Sequence, residues 1–333
     1  MGKLDIEELK KLLNCTKKDK RVIVPPMPGY DSGVHLIGDK YMVVSMDPCI
    51  GVPEEWFGWL LIHYAASDVA LFGAKPEFCT ITLLGPLSTE PQTFQRVMTQ
   101  SCNAADELCM AIVTGHTGTY DSVSQLVGVC TAYGTVEPEK LITPRNIKPG
   151  DLILCTKTLG LETLVNFSLT HKALAQRLFG VKQAEKLEQG VHMQSCVQEA
   201  LQLAETSGVH AMHDATEGGL VGALNEMSAA SGAGFRVEME KVPISPDVRI
   251  LQEYFKLSDE EWLAMSSTGT ILAAVDAQAK VRVEELLHRN GVSASFLGKF
   301  TKSKDHILVK NRRNTTFPQV ADDPYSKILS LQV

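Results

Sequence analysis

No two of the eight cysteines are spaced Cys-x-x-Cys, and no group of His and Cys has the spacing of a zinc site. Nothing therefore points to a zinc module, a dithiol redox pair or a disulfide framework. Most of the cysteines (15, 49, 79, 102, 109, 130, 155 and 196) fall in apolar runs and read as reduced, buried hydrophobes. Cys49, in an expected loop beside Asp47, is the one candidate for reactivity. Lys and Arg form no block, and a net charge of -7 leaves no electrostatic footprint for DNA or RNA. The longest apolar stretch, "WFGWLLIHYAASDVALFGA", is broken by His63 and Asp68, so it reads as a buried helix and not a membrane span. The first 21 residues lack the apolar core and cleavage site of a signal peptide and read as a short charged amphipathic helix, so the expected location is cytoplasmic. No short repeat or low-complexity segment occurs.

What remains is an ordinary soluble composition over 333 residues, enough for two cores. Strand-like runs at "VHLIG", "YMVVSM", "FCTITLLG" and "SQLVGVCTAYGTV" alternate with helical patterns at 54–72 and 91–109, which predicts an α+β first half over 22–146. The stretch "EPEKLITPRNIKPGDLILC" carries three prolines and a Gly-Asp turn, and marks a junction near 147. The second half, 147–333, again mixes strands and helices, with "VHAMHDA" as a strand leading into "TEGGLVGALNEM".

Three acids stand out. Asp47 closes the run "YMVVSMD" ahead of Pro48, where a strand is expected to give way to a loop. Asp68 lies in a helix whose other residues are small or apolar, and a buried carboxylate is costly unless paired, hydrogen-bonded or metal-bound. Asp31 sits in "PGYDSGV", between glycines that let a ligand approach the backbone. Each has a plain alternative: Asp31 capping a turn, Asp47 capping a helix, Asp68 bonding backbone amides. Together, as hard oxygen donors, they suggest Mg²⁺.

Two further segments carry candidate chemistry. "TGHTGTYDSVSQ" after the strand "MAIVT" is expected to be a loop presenting Gly115, His116 and Thr117, with His116 either a structural group or a contact to phosphate or metal-bound water. In "HDATEGGLVGALNEMSAASGAG", Gly218 and Gly219 open a helix whose free amides suit an anion. Asp214 and Glu217 would repel a bare phosphate, so a Mg²⁺-bound nucleotide resolves the conflict. A simple capping box by Asp214 or Thr216 is the alternative.

The motifs "GYDSGV", "VVSMDPCIG", "AASDVALFGAKP", "TGHTGTYD", "KPGDLILCTKTLGLE" and "HDATEGGLVGALNEMSAASGAG", in this order, resemble the superfamily of aminoimidazole ribonucleotide synthetase, selenophosphate synthetase, thiamine-monophosphate kinase and the hydrogenase maturation factor that dehydrates a carbamoyl group. The resemblance, strongest to the last, covers residues 22–312. It implies an N-terminal domain forming half of an intersubunit β-barrel, a C-terminal α/β sandwich domain, a homodimer, and ATP with Mg²⁺ between the domains. It further implies metal ligation by Asp31, Asp47 and Asp68, nucleotide contacts from Gly115, Thr117, Thr216, Glu217, Gly218 and Gly219, and catalytic roles for Asp68, His116 and Asp214. The chain departs from the pattern at Tyr30, where a first acid is usual, at Ser67, where Asn is common, and at His116, where some members carry an acid. No cysteine follows Cys196, so the C-terminal thiol used by the maturation factor has no counterpart.

The resulting expectation is a Mg²⁺-dependent ATP-using enzyme that activates an unknown small-molecule or protein acceptor by phosphoryl transfer. The alternative is a nucleotide-binding accessory protein for metalloenzyme maturation without turnover. The strands at 34–46, 78–84 and 124–136 are too few to close a barrel within one chain, which independently suggests a homodimer.

Overall fold

The computed structural model of the chain describes residues 6–330. The first five residues of the expected N-terminal helix lie outside the described part; the helix that is described, α1, spans Ile6–Leu13. The described residues form two compact units. The N-terminal unit comprises Lys18–Pro25 and Asp31–Leu141, and the C-terminal unit takes Pro26–Tyr30 and Ile142–Val333 together with the residues up to Lys17. Among the described residues no helix is long and apolar enough to cross a membrane.

The N-terminal unit runs β1 (Val22–Val24), β2 (Gly33–Ile37), β3 (Lys40–Ile50), α2 (Phe57–Leu71), β4 (Phe78–Gly85), α3 (Pro91–Glu107), β5 (Ala111–Thr119) and β6 (Val127–Val136). Its six strands lie in the order β1-β2-β3-β6-β4-β5, antiparallel except for the parallel pair β4/β5. Along β6 every second residue is buried, and the buried set begins Gly128, Cys130, Ala132 and Gly134. These small residues let α2 settle directly onto the sheet: a Cβ on Gly128 would lie 2.8 Å from Phe57 and 2.9 Å from Leu61. α2 is accordingly apolar nearly all round and buried over almost its full length. α3 starts with Pro91, whose fixed φ suits a first helical turn, and packs on α2.

The strand β3 is longer than the sequence suggests. It continues through Asp47 and Pro48 to Ile50, paired with β6 throughout. β2 pairs with β3 only as far as Val44, so beyond that point this edge of β3 owes no ladder bond to β2 and tolerates a residue with no N–H. Similarly, β5 extends to Thr119, so Gly115, His116 and Thr117 lie in a strand and not in the expected loop. The length of β4 holds them there, with Ile81, Thr82 and Leu83 opposite the three in turn.

The C-terminal unit runs β7 (Leu152–Thr156), α4 (Leu161–Thr170), α5 (Lys172–Phe179), α6 (Val181–Glu188), α7 (Val197–Ala204), β8 (Val209–Asp214), α8 (Gly219–Ser231), β9 (Gly234–Glu238), α9 (Pro246–Phe255), α10 (Asp259–Leu263), β10 (Ile271–Val275), α11 (Lys280–Arg289), β11 (Ala294–Thr301), β12 (His306–Lys310), β13 (Arg313–Thr316) and α12 (Tyr325–Leu329). Seven strands order as β13-β12-β9-β11-β7-β10-β8, with β9/β12 the parallel pair. β10 is buried at every position, as befits a strand inside a sheet with both faces covered. The core gathers Phe167, Phe235, Phe300, Phe317 and Trp262. The mixed α/β architecture expected from the sequence is present in both units.

Candidate functional site

In the N-terminal unit Asp68 meets Ser45, a residue that the sequence reading passed over. Asp68, on the buried helix α2, is 8 % exposed. Its Oδ2 lies 2.8 Å from the hydroxyl of Ser45 on β3, and the same hydroxyl is 3.2 Å from the backbone carbonyl of Asp31. A serine has one proton to give, and the nearer, charged carboxylate is the stronger acceptor. Strand alternation puts Val43, Ser45, Asp47 and Cys49 on one face of β3, and α2 packs on that strand. Asp47 thus shares the face from which Ser45 reaches Asp68. Cys49 is buried within the strand, its thiol directed at the Phe57 carbonyl at 3.7 Å, so the exposed loop thiol considered above is not there.

The β5 residues form a separate group in the same unit. His116 is exposed, with Nε2 2.7 Å from the Tyr120 hydroxyl. Gly115 is required by close strand packing, since a Cβ there would sit 2.4 Å from the Ile81 carbonyl oxygen.

In the C-terminal unit β8 ends in two buried residues, His213 and Asp214. His213 Nδ1 is 2.7 Å from the Asp214 carbonyl and Nε2 is 3.0 Å from Glu226 on α8. The chain then turns through Thr216 and Glu217 into α8. Gly218 and Gly219 both have positive φ, at 81° and 51°. A Cβ on Gly219 would lie 2.6 Å from the Met265 carbonyl, so this turn is glycine for reasons of backbone conformation and of space.

Neither Asp214 nor Thr216 caps the helix; Gly218 stands at the N-cap with no side-chain cap bond, so the capping box, the plain alternative, is not formed. The anion at this turn comes from a distant part of the chain. Asp323 Oδ2 accepts the Gly218 N–H at 3.2 Å and the Ser266 hydroxyl at 2.5 Å, while its Oδ1 accepts the Tyr325 N–H at 2.9 Å. Burial raises the Asp323 pKa above the ordinary range, and these hydrogen bonds oppose that shift.

Glu162, in the first turn of α4, accepts a 2.5 Å hydrogen bond from the Thr268 hydroxyl. Burial pushes its carboxyl up to about 7, against the Thr268 bond and with help from the charges of Asp323 and Glu217. The loop that supplies Thr268 also supplies Ser267, whose Oγ accepts the Gly160 N–H at 2.6 Å. The segments around 160, 218, 266 and 323 are therefore tied into one hydrogen-bonded group. Sequence reading found Gly218, Gly219 and Glu217 in it and missed Glu162 and Asp323. Glu162 could have been found, because it closes the motif "KTLGLE"; for Asp323 there was no local signal.

The sequence profile described as AIR synthase related protein, N-terminal domain, matches residues 29–136, and that of the C-terminal domain matches residues 148–311. The chain belongs to the AIR synthase related proteins. Among its relatives is a protein of Methanocaldococcus jannaschii named for hydrogenase expression and formation, 27% identical over 286 residues, which cover 84% of this chain and 82% of the relative. Another is the selenide, water dikinase of Myxococcus xanthus, 25% identical over 344 residues, covering 92% of this chain and 93% of that one. The fold is shared with the hydrogenase maturation protein HypE crystallised in complex with ATP, at a TM-score of 0.70 and 19% identity over 95% of this chain and 91% of that one.

Proposed function

We propose that this protein is a cytoplasmic, Mg²⁺-dependent ATP-binding enzyme that activates an acceptor oxygen by phosphoryl transfer. The observation that carries this reading is Asp68. A carboxylate buried on a mostly apolar helix is expensive to keep charged, and Asp68 faces the hydroxyl-bearing strand that also carries Asp47. Retaining a charge there makes sense if a cation completes its environment. The donors available, Asp31, Asp47 and Asp68, are hard oxygens of the kind that suit Mg²⁺. Bound Mg²⁺ would neutralise phosphate charge and orient the nucleotide.

The remaining requirements of phosphoryl transfer are positioning and further charge stabilisation. For these we assign nucleotide contacts to Thr216, Glu217, Gly218 and Gly219 at the opening of α8 and to Gly115 and Thr117 on β5, and catalytic roles to His116 and Asp214 as well as Asp68. The ATP complex of the structural relative and the kinase name of the sequence relative support this reading.

We also propose a homodimer built on the N-terminal sheet. The face turned away from α2 carries Met46 and Phe78, 65% and 42% exposed, with Phe78 stacked on Tyr133 at 5.7 Å. β5 is exposed along nearly its whole length. An apolar sheet face of this extent suits a second copy completing a β-barrel.

The name of the Methanocaldococcus relative favours a second reading, a nucleotide-binding accessory protein for metalloenzyme maturation. Titration calorimetry of ATP with Mg²⁺ and with EDTA tests the shared premise. Affinity falls with EDTA if acids and phosphates are bridged by a cation, and equal affinity in both overturns the metal assignment. Steady release of phosphate in the presence of a metabolite or protein acceptor then separates the enzyme from the accessory protein.

A further inference from the structure

After β13 the chain is laid back onto α8. Phe317 is fully buried edge-on against Phe235 at 5.0 Å, and its N–H donates to the His306 carbonyl at 2.9 Å. The Asn225 side-chain amide, about two turns into α8, donates to the carbonyls of Pro318 at 2.8 Å and Gln319 at 3.3 Å. From there the chain runs against the direction of α8 and delivers Asp323 to the turn at Gly218. The distance fits, since two helical turns span about 11 Å and four extended residues about 13 Å. Beyond the turn, α12 is fastened to α4 by the Asn166 amide, which donates to the Tyr325 hydroxyl at 3.0 Å. His171 Nε2 donates to the Leu329 carbonyl at 3.0 Å.

The segment is therefore held at both ends, and its middle places a carboxylate on the amide at the start of α8. Carboxylate and phosphate oxygens use the same donors with the same geometry. Glu217 lies close enough to act on the same group of acids, so a phosphate reaching this turn with Asp323 seated would meet carboxylate and not a bare helix end.

We propose that residues 318–329 form a strap that competes with phosphate for the α8 turn, Asp323 holding the amide that a phosphate oxygen takes and leaving it when nucleotide binds. The proposal rests on the nucleotide-binding reading above. Its consequence is that nucleotide affinity is set in part by how firmly the strap is docked, and anything that draws residues 318–329 away from α8 raises that affinity.

Hydrogen exchange and calorimetry on the full-length protein test this with ATP and Mg²⁺ as the probe. Mg·ATP is expected to speed amide exchange across 318–329 severalfold. Asp323→Asn is expected to bind Mg·ATP roughly threefold or more tightly, the loss of one opposing charge at a helix N-terminus. Tyr325→Phe leaves Asp323 in place and removes only the hydroxyl that accepts from Asn166; it is expected to loosen the strap and tighten binding in the same direction, and it carries the test if Asp323→Asn does not fold. Nucleotide binding with unchanged or slowed exchange in 318–329, or variants that bind no more tightly than the parent, overturns the strap. Absence of Mg·ATP binding by parent and variants alike overturns the nucleotide reading itself, and the strap falls with it.

Discussion

The Ser45 hydroxyl and the Asp68 carboxylate meet at 2.8 Å between β3 and α2, and both side chains are buried. Ser45→Ala leaves a buried carboxylate without this donor and is expected to cost about 1–2 kcal/mol in urea denaturation. Asp68→Asn removes the charge, so the protein without ligand is expected to be as stable as the parent or slightly more so, while the thermal shift given by Mg·ATP disappears. A destabilised Asp68→Asn protein that still shows the parental ligand shift would make Asp68 a structural acceptor and remove it from the metal site.

Gly219 and Gly232 separate conformation from space. Both have positive φ, but a Cβ at Gly232 meets open surroundings and one at Gly219 meets the Met265 carbonyl at 2.6 Å. Gly232→Ala is expected to cost about 1 kcal/mol and Gly219→Ala more than about 2 kcal/mol, measured by chemical denaturation. Equal costs would show that the loop around Met265 yields freely.

Glu162 gives the protein a pH dependence of defined sign. Its pKa is raised from an ordinary 4.5 to about 7 by burial, so the native state holds this proton more tightly than the unfolded chain. The contribution to stability is fully present below pH 4.5, declines as pH rises through 7, and amounts to at most about 3 kcal/mol. Glu162→Gln keeps an acceptor for Thr268 without the charge. Its melting temperature relative to the parent is expected to climb between pH 5 and 7.5 and then level off; a difference that stays flat over that range would mean that Glu162 is hydrated and titrates normally.

Met46→Lys places a charge on the open face of the N-terminal sheet, where the parent residue touches little within its own chain. Light scattering is expected to give twice 36.4 kDa for the parent and 36.4 kDa for the variant, with unchanged far-UV circular dichroism. A parent protein that is monomeric at micromolar concentration would remove the sheet-face dimer.

How far the sequence can be read depends on how local each signal is. The helix carrying Asp68 and the glycine opening of α8 are local, written in apolar periodicity and in paired glycines, and both are where the pattern puts them. Pro48 looked like the end of a strand, because its tolerance depends on β2 stopping at Val44, a pairing invisible in the residues around it. His116 reads as a loop residue because it follows the apolar run "MAIVT" and lies between Gly115 and Thr117; the parallel partner β4 keeps the strand extended. Asp323 is the extreme case, since its role comes wholly from contact with Gly218 and Ser266, far away along the chain.

The short segment Pro26–Tyr30 belongs to the C-terminal unit although nearly all of the N-terminal unit follows it in the chain. There Gly29 lies so close to α8 that a Cβ would fall 2.6 Å from the Glu226 carbonyl. On a ribosome adding about 5–20 residues per second, the helix that Gly29 rests against is made about 10–40 s after Gly29 itself. The intervening sheet has time to form first, and the packing around Gly29 is completed only when a helix from the second half of the chain has been made.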